Sequence, residues 1–175
     1  LTRAIGDSVR AAVEFEKEMI KISQVTGKSV AQLGGLQSTI TKLSTTLGVS
    51  SQELATVSRT LLQAGFSADV ARKSLNILAK TDLAATFDNL QDTTEGAVAL
   101  LRQFSREAAA AGGPVKFLEQ SIDAINAVSK NFAVESKDLI AAIRRTGGVF
   151  EASGGKLNEL IALFTSVRAT TRETA

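Results

Sequence analysis

Three groups of residues in this 175-residue chain could do chemistry: the Arg144-Arg145 pair, several glycine pairs, and the 18 carboxylates. Adjacent guanidiniums can hold a phosphate or a nucleic-acid backbone. Paired glycines can open a loop whose amides cradle a phosphate. Two carboxylates facing each other across a cleft can serve as acid and base on a glycosidic bond. The pattern around each group points elsewhere. Arg144 and Arg145 sit in a helical run and read as a solvated face. None of Gly34-Gly35, Gly112-Gly113, Gly147-Gly148 or Gly154-Gly155 follows a strand pattern, as a P-loop or dinucleotide fingerprint requires, so they read as helix breaks. No carboxylate pair is singled out by its surroundings, and surface charge accounts for them. The chain has no His and no Cys, which removes imidazole bases, thiolate nucleophiles, disulfides and the usual nitrogen and sulfur metal ligands. No catalytic, cofactor-binding or metal-binding residue is assigned, and no cofactor is expected.

Composition narrows the class further. Hydrophobic residues make up 44%, enough for a buried core and too many for a disordered tail. With 8 Phe and neither Trp nor Tyr, that core must be mainly aliphatic. Lys and Arg number 20, giving a net charge of +2, a balance that does not call for sequence-specific nucleic acid. No apolar run approaches the ~20 residues of a membrane span, and the start lacks the plan of a secretion signal. Opening on Leu1 rather than Met, the chain reads as a fragment of a longer polypeptide.

What remains is how helices are arranged and joined. The stretch 48–75 specifies two of them and the corner between. Ser50 can cap the first, with Glu53 reaching back to complete a capping box. Val49 and Leu54 have hydrophobic-staple spacing, and Leu54, Val57, Leu61 and Leu62 share one face. Ala64-Gly65 ends that helix, and Ser67 caps the next, with Asp69 in its first turn.

The same reasoning extends over the chain. A helix over 1–26 carries Leu1, Ile5, Val9, Ala12, Val13, Met19 and Ile20 as its apolar stripe. After Gly27 and Ser29, Val30, Leu33, Leu36, Ile40, Leu43 and Leu47 form a coiled-coil-like seam that Gly34-Gly35 should bend. Leu83, Phe87 and Leu90 are consistent with a short helix in 81–91, and Asp92 with Glu95 forms a second candidate capping box. Val98, Leu101, Phe104 and Ala108 continue one helical face to Gly112-Gly113-Pro114, the clearest break, where Pro114 suits a first helical turn. Phe117, Leu118, Ile122, Ile125 and Val128 line the next helix. Leu139, Ile140 and Ile143 line one that Gly147-Gly148 should end. Past the Gly154 loop, Leu157, Leu160, Ile161, Phe164 and Val167 line the last; such faces read as core or inter-subunit packing. No strand pattern occurs. The expectation is an all-α fold, a glycine-punctuated bundle or hinged array of about seven to eight helices, as one module over 1–175 with candidate subdomains 1–111 and 114–175.

An internal echo accompanies this. Val49, Ser51, Glu53 and Leu54 match Val134, Ser136, Asp138 and Leu139 at a constant offset of 85 residues. Shared capping chemistry and an old duplication both account for it, the first more simply.

Taken in order, these pieces resemble the core region of phage tail tape measure proteins. An F-E-x-x-M-x-x-I run is matched by Phe15, Glu16, Met19 and Ile22. A G-V-S-x-x-E-L-A … L-x-A-G-x-S stretch is matched by Gly48, Val49, Ser50, Glu53, Leu54, Ala55, Leu62, Ala64, Gly65 and Ser67. Ala124, Asn126, Val134, Ser136, Leu139, Ala142 and Gly147 resemble a third stretch. Gly154, Leu157, Glu159, Leu160, Ala162 and Leu163 match a fourth. The sequence departs from the pattern in the more polar 81–95 and at Ser105, where a glycine often ends the fifth helix.

The resemblance implies a structural protein that lies in the tail lumen or at the tail tip, sets tail length during assembly and leaves during DNA ejection. Its implied partners are tail-tube, tail-tip or baseplate-hub and assembly-chaperone proteins, with sister copies along the tail axis, a trimer by preference. Membrane contact is implied only after ejection. Periodicity alone equally fits a generic helical interaction bundle, secreted or signalling.

Overall fold

Gly65 and Gly154 show how the chain makes its corners. Each takes the left-handed conformation, with φ of 87° and 89°, which glycine adopts without a Cβ penalty. The Gly65 and Phe66 N–H groups donate to the carbonyls of Leu62 and Leu61 at 2.9 and 3.3 Å, and those of Gly154 and Gly155 to Glu151 and Phe150 at 2.9 and 3.0 Å. Carbonyls at both helix ends are thereby satisfied.

The computed structural model describes residues 2–132 and 134–173, with side chains placed throughout except at 2–5, 7, 8, 169, 172 and 173. Among these residues the chain is helix and turn, without strands. The helices are α1 (Thr2–Thr26), α2 (Gly34–Leu47), α3 (Ser51–Gln63), α4 (Ala68–Thr81), α5 (Leu90–Gln103), α6 (Ser105–Ala110), α7 (Pro114–Asn131), α8 (Ser136–Ala152) and α9 (Leu157–Glu173). A single 3-10 turn, Ala31–Leu33, leads into α2. The fold is all-α, as the periodicity requires.

Packing gathers the chain into two units, Leu1–Lys80 and Thr81–Ala175. The division does not fall at Gly112–Pro114. That break joins α6 to α7, which pack on each other inside the second unit.

In the first unit α3 packs most extensively on α1, and also on α2. Leu54, Ala55, Val57 and Leu61 of α3 are buried, as are Leu33, Leu36, Ile40 and Leu43. Each large aliphatic side chain removed from water contributes about 1.5–3 kcal/mol. The buried face of α1 is not the expected stripe. Met19, Ile22 and Glu18 are buried, while Val9, Val13 and Ile20 are exposed. On a 3.6-residue period the last three lie across the helix from the first three; Leu1 and the side chain of Ile5 fall outside the described residues. Gly34-Gly35 does not interrupt α2 but begins it.

In the second unit α8 is central, packing on α5, α7 and α9. It also runs straight through Gly147-Gly148, which therefore end nothing. A Cβ on Gly147 would lie 2.3 Å from Gln103 Oε1 and 3.0 Å from the Phe104 ring, and one on Gly96 of α5 would lie 2.4 Å from Ile140 Cγ2. Position 96 faces 140 and position 103 faces 147, so α5 and α8 run parallel with two notches, one on each helix. Phe104 leaves helical geometry (φ −101°, ψ 38°) and splits the expected fifth helix into α5 and α6, its ring wholly buried. Residues 82–89 form turns rather than a short helix. Phe87 is buried there and Leu83 exposed.

Burial follows the echo between the two units in part: wholly buried Leu61 falls on exposed Thr146, while other positions agree. At the 85-residue offset, buried Leu33, Leu36, Ile40, Val49, Leu54, Ala55, Ser58 and Leu62 correspond to Leu118, Ser121, Ile125, Val134, Leu139, Ile140, Ile143 and Gly147, all buried. Gly27 and Gly112, both with positive φ, correspond as well.

Substitution tests the notch. Gly96→Ala should lower stability by about 1–3 kcal/mol, because Cγ2 of β-branched Ile140 would lie 2.4 Å from the added carbon. Gly35→Ala, which meets nothing within 4 Å, should leave stability unchanged or raise it by up to about 1 kcal/mol. Urea denaturation of the two variants makes the comparison, and equal effects would refute the close approach.

Candidate functional site

The residues expected to shape the chain lie at separate helix ends. Ser50 occupies the position before α3, but its hydroxyl makes no cap hydrogen bond, and Glu53 is exposed. At Ser67 the hydroxyl accepts from the Val70 N–H at 3.2 Å. Gly112 and Gly113 have φ of 98° and 113°, and Pro114 opens α7. Gly147 sits inside α8, and Gly154 closes it.

Sequence reasoning missed two reciprocal caps. Ser29 N–H donates to Gln32 Oε1 at 2.9 Å while the Gln32 N–H donates to Ser29 Oγ at 3.3 Å. Asn89 Oδ1 accepts from the Asp92 N–H at 2.7 Å, and Asn89 Nδ2 donates to Asp92 Oδ2 at 2.6 Å. Helix α5 thus starts three residues before the Asp92–Glu95 box would place it. Both patterns have the three-residue spacing of a capping box and could have been read from it.

The charged groups are tied to one another. In the first unit Glu18, only 6% exposed, accepts from Lys21 Nζ at 2.5 Å and from Arg59 Nε at 2.9 Å. Burial opposes the Glu18 charge, but the bonds from Lys21 and Arg59 outweigh it and hold the carboxyl below its ordinary range. In the second unit Arg144 reaches Glu95 at 2.9 Å, Arg106 reaches Glu151 at 2.6 Å, and Lys137 lies between Asp88 and Glu135. Arg106 lowers the Glu151 pKa, and Lys73 with Arg72 lowers that of Asp69. Each resolved carboxyl shift favours the ionised form, the opposite of what a proton donor at neutral pH requires. Glu107 Oε2 accepts from the Leu157 N–H at 3.0 Å, so α6 caps α9. The two arginines of the Arg144-Arg145 pair therefore differ. Arg144 is bonded, whereas Arg145 is exposed and has no ion pair among the described residues.

Arg145 lines an apolar depression that α8 and α9 form together. It holds about 560 Å³, with Ala142, Phe150, Leu163, Phe164 and Val167 among its walls. At one side Arg168 pairs with Asp138, and its Nε is buried without a partner. Among the described residues no three His, Cys, Asp or Glu gather as a metal site, and no helix is long and apolar enough to cross a membrane.

Comparison with known families supplies the setting of this surface. The family model described as phage-related minor tail protein matches residues 37–175. The chain belongs to that family. It is accordingly a structural component of a phage tail, part of the virion, that works among other tail components. No curated protein and no solved structure matches it.

The buried Glu18 cluster of this tail protein yields a pH test. Because folding lowers the Glu18 pKa from its ordinary 4.5, its contribution is complete above that value. It is lost as the pH falls through the lowered value of the folded state. Glu18→Gln should cost about 1–3 kcal/mol at neutral pH. The gap in melting temperature between the two proteins should close on acidification below pH 4.5. A gap independent of pH would show that the Glu18 charge contributes nothing.

Proposed function

We propose that this chain is a compact end module of a tail tape measure, which sets tail length during assembly and is released during DNA ejection. The observation that carries the reading is where the ordered motifs fall. The 48–67 motif spans the end of α2, all of α3 and the corner into α4, and the 154–163 motif spans the corner into α9. They specify joints between packed helices, a property of a docking module rather than of the extended ruler.

On this reading the ruler itself is extended helix elsewhere in the parent polypeptide, where each residue adds 1.5 Å. The module's surfaces meet tail-tube, tail-tip or baseplate-hub and assembly-chaperone proteins. Copies lie side by side on the tail axis, three being the preferred number. The lumen or the tip of the tail is the corresponding location.

Negative-stain electron microscopy of tails tests this. Deleting twenty residues in frame from the adjoining helical region should shorten tails by about 30 Å. Deleting this module should abolish regular tails rather than shorten them. Tails of normal length after the first deletion would overturn the ruler, and proportionate shortening after the second would overturn the end-module role.

A further inference from the structure

We infer that this protein associates head to tail with a second copy of itself, the exposed stripe of α1 in one copy seating in the α8–α9 groove of the next. The stripe consists of Val9, Val13, Glu16 and Ile20, on the side of α1 opposite Met19 and Ile22. Val9, Val13 and Ile20 are 58%, 43% and 52% exposed. Glu16 is exposed and has no ion pair among the described residues.

The groove answers it in length, polarity and charge. From Asp138 to Phe150 it follows α8 for about 18 Å, against about 16.5 Å from Val9 to Ile20, at the rise of an α-helix. Leu163 and Val167, on its α9 wall, are 55% and 54% exposed. Arg145, without an ion pair among the described residues, stands near the middle of the groove, as Glu16 stands within the stripe between Val13 and Ile20. A carboxylate among apolar groups meets a guanidinium among apolar groups.

The repeat between the units gives a separate reason to expect this face to be covered. Matching Gly65 to Gly154, a shift of 89 residues because α8 is longer than α3 where the earlier positions match at 85, the Ser74, Leu75 and Leu78 positions of α4 become Leu163, Phe164 and Val167 of α9. The three α4 side chains are wholly buried, whereas Leu163 and Val167 lie open. The face that α4 keeps from water is left bare on α9.

Each copy carries one stripe and one groove, so the contact is heterologous and does not close on itself as a two-fold dimer does. A contact made by four side chains of one helix falls short of the standard interface of about 1,200–2,000 Å². Association should therefore be weak and steepen with concentration.

Sedimentation velocity of the whole chain between about 10 μM and about 1 mM reads it. The weight-average mass should climb past that of a dimer, whether the copies close into a ring or add on in a chain. Arg145→Glu and Glu16→Lys, both at exposed positions, should each weaken association about tenfold or more. The double variant should restore it, and so should an equimolar mixture of the single variants, in which the stripe of each meets the complementary groove of the other. A monomer at every concentration overturns the inference and leaves the groove to another tail protein. So does a discrete dimer or trimer that neither substitution changes.

Discussion

Each unit depends on packing between two helices that are not neighbours in the chain, α1 with α3 and α5 with α8. There is no cysteine to cross-link them, so side-chain burial and close backbone approach hold them together. In the second unit that approach is set by what is missing. Gly96 and Gly147 leave notches that Ile140 and the Gln103–Phe104 pair fill, and a methyl group in either would displace those side chains. Phe104 fits only because the chain breaks helical geometry there. The break that creates α6 then brings Glu107 to the first turn of α9.

Much of this was legible in the sequence because it is local. The corner from Leu62 to Ser67 is written in a left-handed glycine and a capping hydroxyl, and the buried faces of α3, α7 and α8 follow their apolar spacing. What was not legible depends on partners distant in the chain. Gly147-Gly148 read as a stop because glycine weakens a helix by about 1 kcal/mol, but dense packing against α5 outweighs that preference. Val9, Val13 and Ile20 read as core because periodicity finds an apolar stripe without showing which of two stripes meets a neighbour. The buried Glu18 could not be foreseen either, since Arg59, its partner, lies 41 residues away. Of the groove, only the apolar α9 positions were visible, not their pairing with Arg145.

The two units also show what packing adds to local reasoning. Capping chemistry recurs in unrelated helices, so the echo between residues 49–54 and 134–139 meant little alone. Eight pairs of buried positions at one offset constrain far more. They concern which faces meet, not how helices begin. Four ion pairs, Arg59–Glu18, Arg106–Glu151, Arg144–Glu95 and Arg168–Asp138, tie one helix to another.

The parallel course of α5 and α8 has a mechanical side. The chain enters this pair at the start of α5 and leaves it at the end of α8, at opposite ends of their shared interface. Tension drawn through the backbone therefore slides one helix along the other instead of peeling them apart turn by turn. Sliding must lift Ile140 out of the Gly96 notch and Phe104 away from Gly147 together. Such a joint yields little until its threshold, and then gives way all at once.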